Sequence, residues 1–460
     1  MGKKGDFVEG KIWKHIIAQA VPLTIAQLVQ VLYNIVDRIY IGHIQEANAG
    51  MALTGVGVAF PVLTLVAAFT NLFATGGAPL CSIARGRGDV KEAEDILGNT
   101  LVMQIITGIV IGIALFFTMK PILYAFGASD VTYPYAESYL RIYLCGTVFF
   151  MLGTGMNSFI SLQGFPRIGM FTTLIGAVLN LIFDPIFIFW LHLGVRGAAI
   201  ATVISQFASA VWVIQFLTGK KAILHLTRQN LIPDRKRIVN IMTLGLTGFI
   251  VSATNCTVQA VCNAVLGVYG GDAYIGIMTI INSVREMIGL PINGITSGSQ
   301  PVLSYNYGAG EYRRVTGGIK FMGWTSGIYT FIVWMTIMLF PHFYIGIFSR
   351  EEQILQFGPK ALLIYFLGFV FMNFQFVGQS TFVALGKKQY SIFFSIFRKV
   401  IIVVPLVVFL PRIPALGVMG VFAAEPVSNL IGGLASFLTM YVVVYRKLNR
   451  QAKQNEKRSN

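Results

Sequence analysis

The sequence predicts an all-α integral membrane protein. Twelve transmembrane helices are expected in two six-helix lobes, related by a parallel repeat with its pseudo-twofold axis along the membrane normal. Three observations carry that expectation. Of 460 residues, 55% are hydrophobic and 12% charged, and mean hydropathy is +0.70, whereas about a quarter of a soluble domain's residues are charged. Apolar runs of spanning length recur along nearly the whole chain, and the two halves match each other at a fixed offset.

A spanning helix needs roughly 20 mostly apolar residues, because the bilayer core is about 30 Å thick and each helical residue rises about 1.5 Å. Read between polar breaks, spans fall near 15–41, 51–83, 96–119, 138–163, 168–191 and 197–218 in the first half. In the second half they fall near 239–269, 273–304, 318–340, 360–385, 390–411 and 417–445. This divides the chain into an N-lobe (1–218), a cytoplasmic linker (219–238), a C-lobe (239–445) and a basic cytoplasmic tail (446–460). No stretch is left for a separate catalytic domain, so function is expected within the bundle and no enzymatic activity is expected.

The net charge of +16 raises the question of an anionic partner, and the placement of the basic residues argues against nucleic acid. Lys3, Lys4, Lys11, Lys14, Arg85, Arg87, Lys91, Arg167, Arg313, Arg314, Lys320, Lys387, Lys388, the linker and the tail all fall on one side of the membrane. The other side holds only Lys120, Arg141, Arg196, Arg350, Lys360 and Arg412. The positive-inside rule therefore puts both termini in the cytoplasm of a plasma (inner) membrane protein. The first span is long enough to cross and follows a basic segment, so it is read as retained and not as a cleaved signal. The four cysteines lie in apolar helices without CxxC spacing and the five histidines are scattered, which favours structural packing over metal or redox work.

At an offset of 222 residues Gly76, Pro79, Ser82, Gly86 and Gly88 meet Gly298, Pro301, Ser304, Gly308 and Gly310. Tyr143, Gly146, Ser158 and Gly164 meet Tyr365, Gly368, Ser380 and Gly386. At 223 residues Gly194, Val195, Gly197 and Ala201 meet Gly417, Val418, Gly420 and Ala424. An even number of spans separates the halves, so both enter the membrane in the same orientation. Two such lobes suit a secondary transporter working by alternating access. No GxxxxGK[ST] run occurs, so the driving force is expected to be an ion gradient or a separate partner.

Three stretches, "PLTIAQLVQVLYNIVDRIYIGH" in the first span, "RGRGD" after the second and "QPVLSYNYGAGEYRRV" after the eighth, resemble the multidrug and toxic compound extrusion (MATE) family of antiporters. The likeness extends over essentially the whole chain. It implies export of amphipathic, often cationic compounds, driven by inward flow of protons or sodium, with no cofactor beyond the coupling ion H+ or Na+. The bacterial branch with its cation site in the N-lobe is the nearest match. That branch implies a cation-coupling set at Asp37, Asn180, Asp184 and Thr202, with Na+ the one metal such a set would hold, at Asp37, Asn180 and Asp184.

The residues themselves support such a site. Asp184 follows Asn180 by four residues, so both project from one helix face. The first and fifth spans run in the same direction, and Asp37 and Asp184 both lie in their outer portions. An ionised carboxylate in hydrocarbon costs at least ~2.5–3.5 kcal/mol at mid-membrane on insertion scales, so such residues usually face an interior and have a function. Two close carboxylates in a low dielectric cannot both ionise cheaply, so the pair would share a proton or ligate a hard cation. The plainer alternative for Asp37 is an interfacial residue beside a snorkelling Arg38. Arg38 is read as an anchor or as a partner of the carboxylate.

The lobes are not equivalent, because Gln259 stands opposite Asp37 and Val407 opposite Asp184 in the repeat. The seventh span, with Asn255 and Gln259, and the tenth, with Asn373, Gln375 and Gln379, contain no acid, so no C-lobe coupling site is expected. Tyr33, Asn34, Asn157, Gln259, Arg285 and Glu286 are candidates for a substrate cavity. Arg285 and Glu286 are alternatively a charge-balanced pair pinning helices, and Arg398 and Lys399 a cytoplasmic-side gate or headgroup contacts. Thirty-six Phe and sixteen Met offer soft surface to small amphipathic substrates. Pro22, Pro61, Pro185, Pro291 and Pro405 fall within spans, where the missing N–H allows kinks, and Pro22 and Pro185 sit on the helices of the expected ion site. The expected partners are these small molecules and membrane lipid, with the protein acting as a monomer. A flippase for a lipid-linked saccharide precursor shares the two-lobe architecture and is the alternative reading. A lipid-modifying enzyme would need convergent His or Asp groups at one membrane face, which are lacking. A passive channel would show no ion-for-drug exchange.

Overall fold

A computed structural model describes residues 6–42, 44 and 49–459. The readings of Lys3, Lys4, His43 and the Arg38 side chain lie outside the described residues. Ten helices are long and apolar enough to cross a membrane, and twelve if each of two bent pairs forms one span. In the first half these are α1 (Ile12–Gly42), α2 (Ala49–Gly86), α3 (Val90–Ala125), α4 (Tyr133–Cys145 with Thr147–Leu162), α5 (Pro166–Trp190) and α6 (Gly194–Thr218). In the second half they are α7 (Arg235–Tyr269), α8 (Gly271–Gly308), α9 (Tyr312–Leu339), α10 (Glu352–Phe366 with Phe369–Ala384), α11 (Lys388–Arg412) and α12 (Met419–Asn455). Among the described residues there is no strand, as expected where no water is present to satisfy an open backbone. The basic segment after Arg446 continues as helix to Ser459 and is not an irregular tail.

The chain forms two compact units whose boundaries differ from a simple division at the linker. One is built on Pro22–Gly245, the other on Phe7–Val21 together with the chain from Leu246. Each unit thus includes the opening turns of a helix whose remainder belongs to the other. In the first unit α2 meets the start of α7 backbone to backbone: a Cβ on Gly76 would collide with the Ile241 carbonyl, and one on Gly245 with that of Leu72. In the second unit Gly298, the repeat partner of Gly76, lies against the Ala20 backbone in the same way. Lipid tails are as apolar as Leu, so close approach at small residues supplies much of the attraction between spans.

The quoted loop motifs do structural work at these junctions. Asn306 Nδ2 and Arg314 Nη2 donate to the Phe7 carbonyl at 3.1 and 2.8 Å, and Arg314 Nη1 donates to that of Gly10 at 2.6 Å. In "RGRGD" Arg85 Nη1 donates to the Leu162 carbonyl at 2.8 Å, and Asp89 accepts the Glu92 amide at 3.0 Å to cap α3. Gly88 and its counterpart Gly310 both adopt left-handed φ, +83° and +77°, which a side chain would strain.

The stretch 219–238 is fastened to the first unit. Buried Asn99 donates to the Ile232 carbonyl at 3.1 Å and accepts the Asp234 amide at 2.7 Å. Gln163 Oε1 accepts the Ile223 and Leu224 amides at 2.7 and 2.9 Å. Arg237 bridges Glu92 and Asp95 at 2.8 and 2.9 Å.

The two breaks at which spans bend by more than 40° do not fall at the prolines. α1, α2 and α8 are continuous through Pro22, Pro61 and Pro291. π-helical turns accompany Pro185, at Ile186–Trp190, and Pro405, at Phe397–Val403. The bends of 59° and 45° fall in α4 and α10, at Gly146 and at Leu367–Gly368. Gly146 and Gly368 are repeat partners, and in each case a Cβ would strike the neighbouring sixth helix of its half: Val203 Cγ2 at 2.7 Å or the Pro426 carbonyl at 2.6 Å. Close contact at a glycine therefore places each bend.

Candidate functional site

Asp37, Asn180, Asp184 and Thr202 come together within the first unit. The turn spacing on α5 puts Asn180 beneath Asp184, and Asn180 Nδ2 donates to Asp184 Oδ1 at 3.2 Å and to Thr202 Oγ1 on α6 at 3.3 Å. The Thr202 hydroxyl donates to the Ala198 carbonyl at 2.9 Å, so its oxygen is free to accept from Asn180. All three residues are buried, Asp184 with 1% of its surface exposed, and Asp37 on α1 is buried as well at 8%. The Asp37 carboxylate faces that of Asp184.

Asp184 Oδ2 is buried and has no hydrogen-bond donor among the described residues. A carboxylate cannot satisfy another carboxylate unless a proton or a cation lies between them. Two carboxylates and a hydroxyl supply oxygen there, the kind of ligand hard cations prefer, while Asn180 turns its amide nitrogen to Asp184 and Thr202. Among the described residues no group of three His, Cys, Asp or Glu side chains forms a metal cluster.

Asn180 and Thr202 also line a cavity of about 140 Å³ in the same unit, together with Tyr33, Asn157, Ser205 and Gln206. Buried Ser205 Oγ and Gln206 Oε1 have no partner among the described residues, so the wall offers polar atoms to a guest or to water. Tyr139 and Tyr143 stand on α4 beside Thr202 and Gln206. The sequence reading missed these tyrosines, although two Tyr one turn apart in "YLRIY" are a legible polar stripe.

The six substrate-cavity candidates do not form one group. Tyr33 and Asn157 line the cavity just described, with Asn157 bonded to the Gly169 carbonyl and the Thr172 hydroxyl at 3.0 and 3.1 Å. Asn34, Gln259 and Glu286 are exposed on their helices. Arg285 turns inward, to the Tyr365 hydroxyl at 3.2 Å and to Glu425 at 4.0 Å. Of the two readings for Arg285 and Glu286, the charge-balanced pair is not formed between them: neighbours on a helix diverge by about 100°, and the carboxylate that Arg285 meets is Glu425. Arg398 and Lys399 do not extend outward to headgroups, because both are bonded to Glu425 in the interior of the second unit. Glu425 escaped notice although it stands as an acid in the apolar run "GVFAAEPV".

The MatE family profile matches residues 22–186 and 247–409, which is more than half of the chain. The chain belongs to the MatE family. Its members' twelve-helix, two-lobe plan is the one found here, and the chain is a multi-pass membrane protein. A multidrug export protein MepA from Staphylococcus haemolyticus is 26% identical over 447 residues, with 96% of each chain covered. Another MepA, from Staphylococcus saprophyticus, is 24% identical over 439 residues, with 95% of each covered. Among solved structures, a MATE protein in a bent conformation superimposes with a TM-score of 0.92 at 22% identity, covering 98% of this chain and all of that one. A MOP superfamily transporter from Pyrococcus furiosus gives a TM-score of 0.90 at 22% identity, covering 98% and 99%. At that identity the structural likeness bears on the MatE fold alone.

Proposed function

We propose that this MatE protein is a cation-coupled antiporter that exports amphipathic, often cationic compounds by alternating access, from a plasma membrane with both termini in the cytoplasm. The reading rests chiefly on one pair: the Asp37 carboxylate lies against buried Asp184, whose Oδ2 has no donor among the described residues. Such a pair is stable when loaded with H+ or Na+ and strained when empty, so loading shifts the balance between two conformations. The multidrug export attributed to the staphylococcal relatives supports the substrate class.

The test is ethidium transport in everted membrane vesicles energised by a pH gradient alone or by a sodium gradient alone. One gradient is expected to drive accumulation that collapses when it is dissipated. Transport supported by neither gradient, or wild-type rates in Asp37→Asn, would overturn the proposal.

A further inference from the structure

The sixth helix of each half carries a polar centre at the same repeat position. Thr202 on α6 belongs to the acidic cluster of the first unit, and 223 residues later Glu425 on α12 lies at the middle of a basic one. Glu425 Oε1 accepts from Arg398 Nη1 at 3.0 Å and from Lys399 Nζ at 3.3 Å, with Arg285 Nη1 at 4.0 Å. Arg398 Nη1 also donates to Asn429 Oδ1 at 2.7 Å, and Arg285 to the Tyr365 hydroxyl at 3.2 Å. Lys399, Glu425 and Asn429 are all at least nine-tenths buried.

This arrangement is built. Successive residues on an α-helix point about 100° apart, yet Arg398 and Lys399 reach a single oxygen. They do so from the π-helical turn Phe397–Val403, whose wider winding reduces the angle between neighbours and which in helices often marks a functional site. The cluster is also unbalanced. Three cations surround one carboxylate, and among the described residues no second acid lies within ion-pair distance of them, exposed Glu286 acting on Arg285 only at longer range.

Hydrogen bonding is equally one-sided. Lys399 uses one of its three N–H donors, and Arg398 Nε and Nη2 find no acceptor among the described residues. Buried cations in hydrocarbon surroundings require pairing, and Arg cannot relieve the excess by losing a proton.

We propose that Arg285, Arg398 and Lys399 form a binding site for a small anion in the second unit. The ligand class is a halide, a small inorganic oxyanion or the carboxylate of an organic acid, held by the unused guanidinium edge of Arg398 and by the Lys399 ammonium. A guanidinium fork matches a two-oxygen acceptor. The repeat then provides a cation site in one half and an anion site in the other. The inference does not depend on ion coupling at Asp37 and Asp184.

The test is a melting-temperature titration of the purified, detergent-solubilised protein, at constant ionic strength held by isethionate, with chloride, sulfate or benzoate as probe. A saturable rise in melting temperature is expected for at least one probe. Chloride or sulfate would identify an inorganic ligand, and benzoate alone a carboxylate-bearing one. Lys399→Met and Arg398→Gln should raise the half-saturating concentration about ten-fold or more, equivalent to ~1.4 kcal/mol, whereas Lys399→Arg, which keeps the charge, should retain saturation. If the neutral variants do not fold, bromide-soaked wild-type crystals should show anomalous scattering beside Lys399 Nζ. No saturable rise in the wild type, as expected if Lys399 instead sheds its proton, refutes the site. So do unchanged half-saturation in folded Lys399→Met and Arg398→Gln, and absence of bromide beside Lys399.

Discussion

Replacing Asp184 by Asn changes one atom of the site and separates coupling from folding. The structure dictates what the amide would do. Asp184 Oδ1 keeps its bond from Asn180 Nδ2, and the new NH2 replaces Oδ2, which lacks a donor among the described residues, in a group that lies against Asp37. The amide would therefore donate to the Asp37 carboxylate permanently, as a shared proton does only while bound. The variant should fold as well as wild type and stay in the loaded arrangement. One charge moving down 100 mV supplies about 2.3 kcal/mol, enough for roughly fifty-fold accumulation. In everted vesicles that ratio should fall to about one in Asp184→Asn, at unchanged yield and monodispersity. Substrate-induced proton or sodium release should vanish as well. A variant that still concentrates ethidium several tens of fold would refute the coupling role of the carboxylate pair.

Two further outcomes follow from contacts in the fold. Gly368→Val or Gly146→Val places a side chain where Cβ alone meets the Pro426 carbonyl at 2.6 Å or Val203 Cγ2 at 2.7 Å. Each should destabilise by about 1–3 kcal/mol through overpacking, read as a lower melting temperature in detergent. Asn99→Ala removes the bonds to the Ile232 carbonyl and the Asp234 amide, at about 0.5–1.5 kcal/mol each for partly exposed groups that water can reach. Limited proteolysis within residues 219–238 should accelerate while the rest of the chain stays resistant.

Several elements were legible as one-dimensional pattern. The twelve segments, the offset repeat, and the pairing of Asn180 with Asp184 on one face of α5 all follow from hydropathy and helical spacing. Proline did not mark the helix breaks, since helix continues through Pro22 and Pro291, whereas the sharply bent breaks lie at Gly146 and Gly368 where another helix presses in. Arg285 had Glu286 beside it in sequence as one candidate partner, though its carboxylate neighbour is Glu425, 140 residues away. Adjacency in sequence carries little information about which face of a helix a charge presents.

The sequence by itself determined that this protein crosses a membrane as two repeated sets of six helices, because a bilayer fixes the length of each apolar run and obliges the backbone to bond within it. Only the tertiary structure decided which charges meet. Asp37 faces Asp184, Glu425 gathers Arg285, Arg398 and Lys399, and the opening turns of α1 and α7 fall in units other than those of their remaining lengths. Those outcomes depend on the rotation and depth of each helix against its neighbours. These are set by close contacts at residues such as Gly76, Gly298 and Gly368, and a hydropathy pattern does not record them.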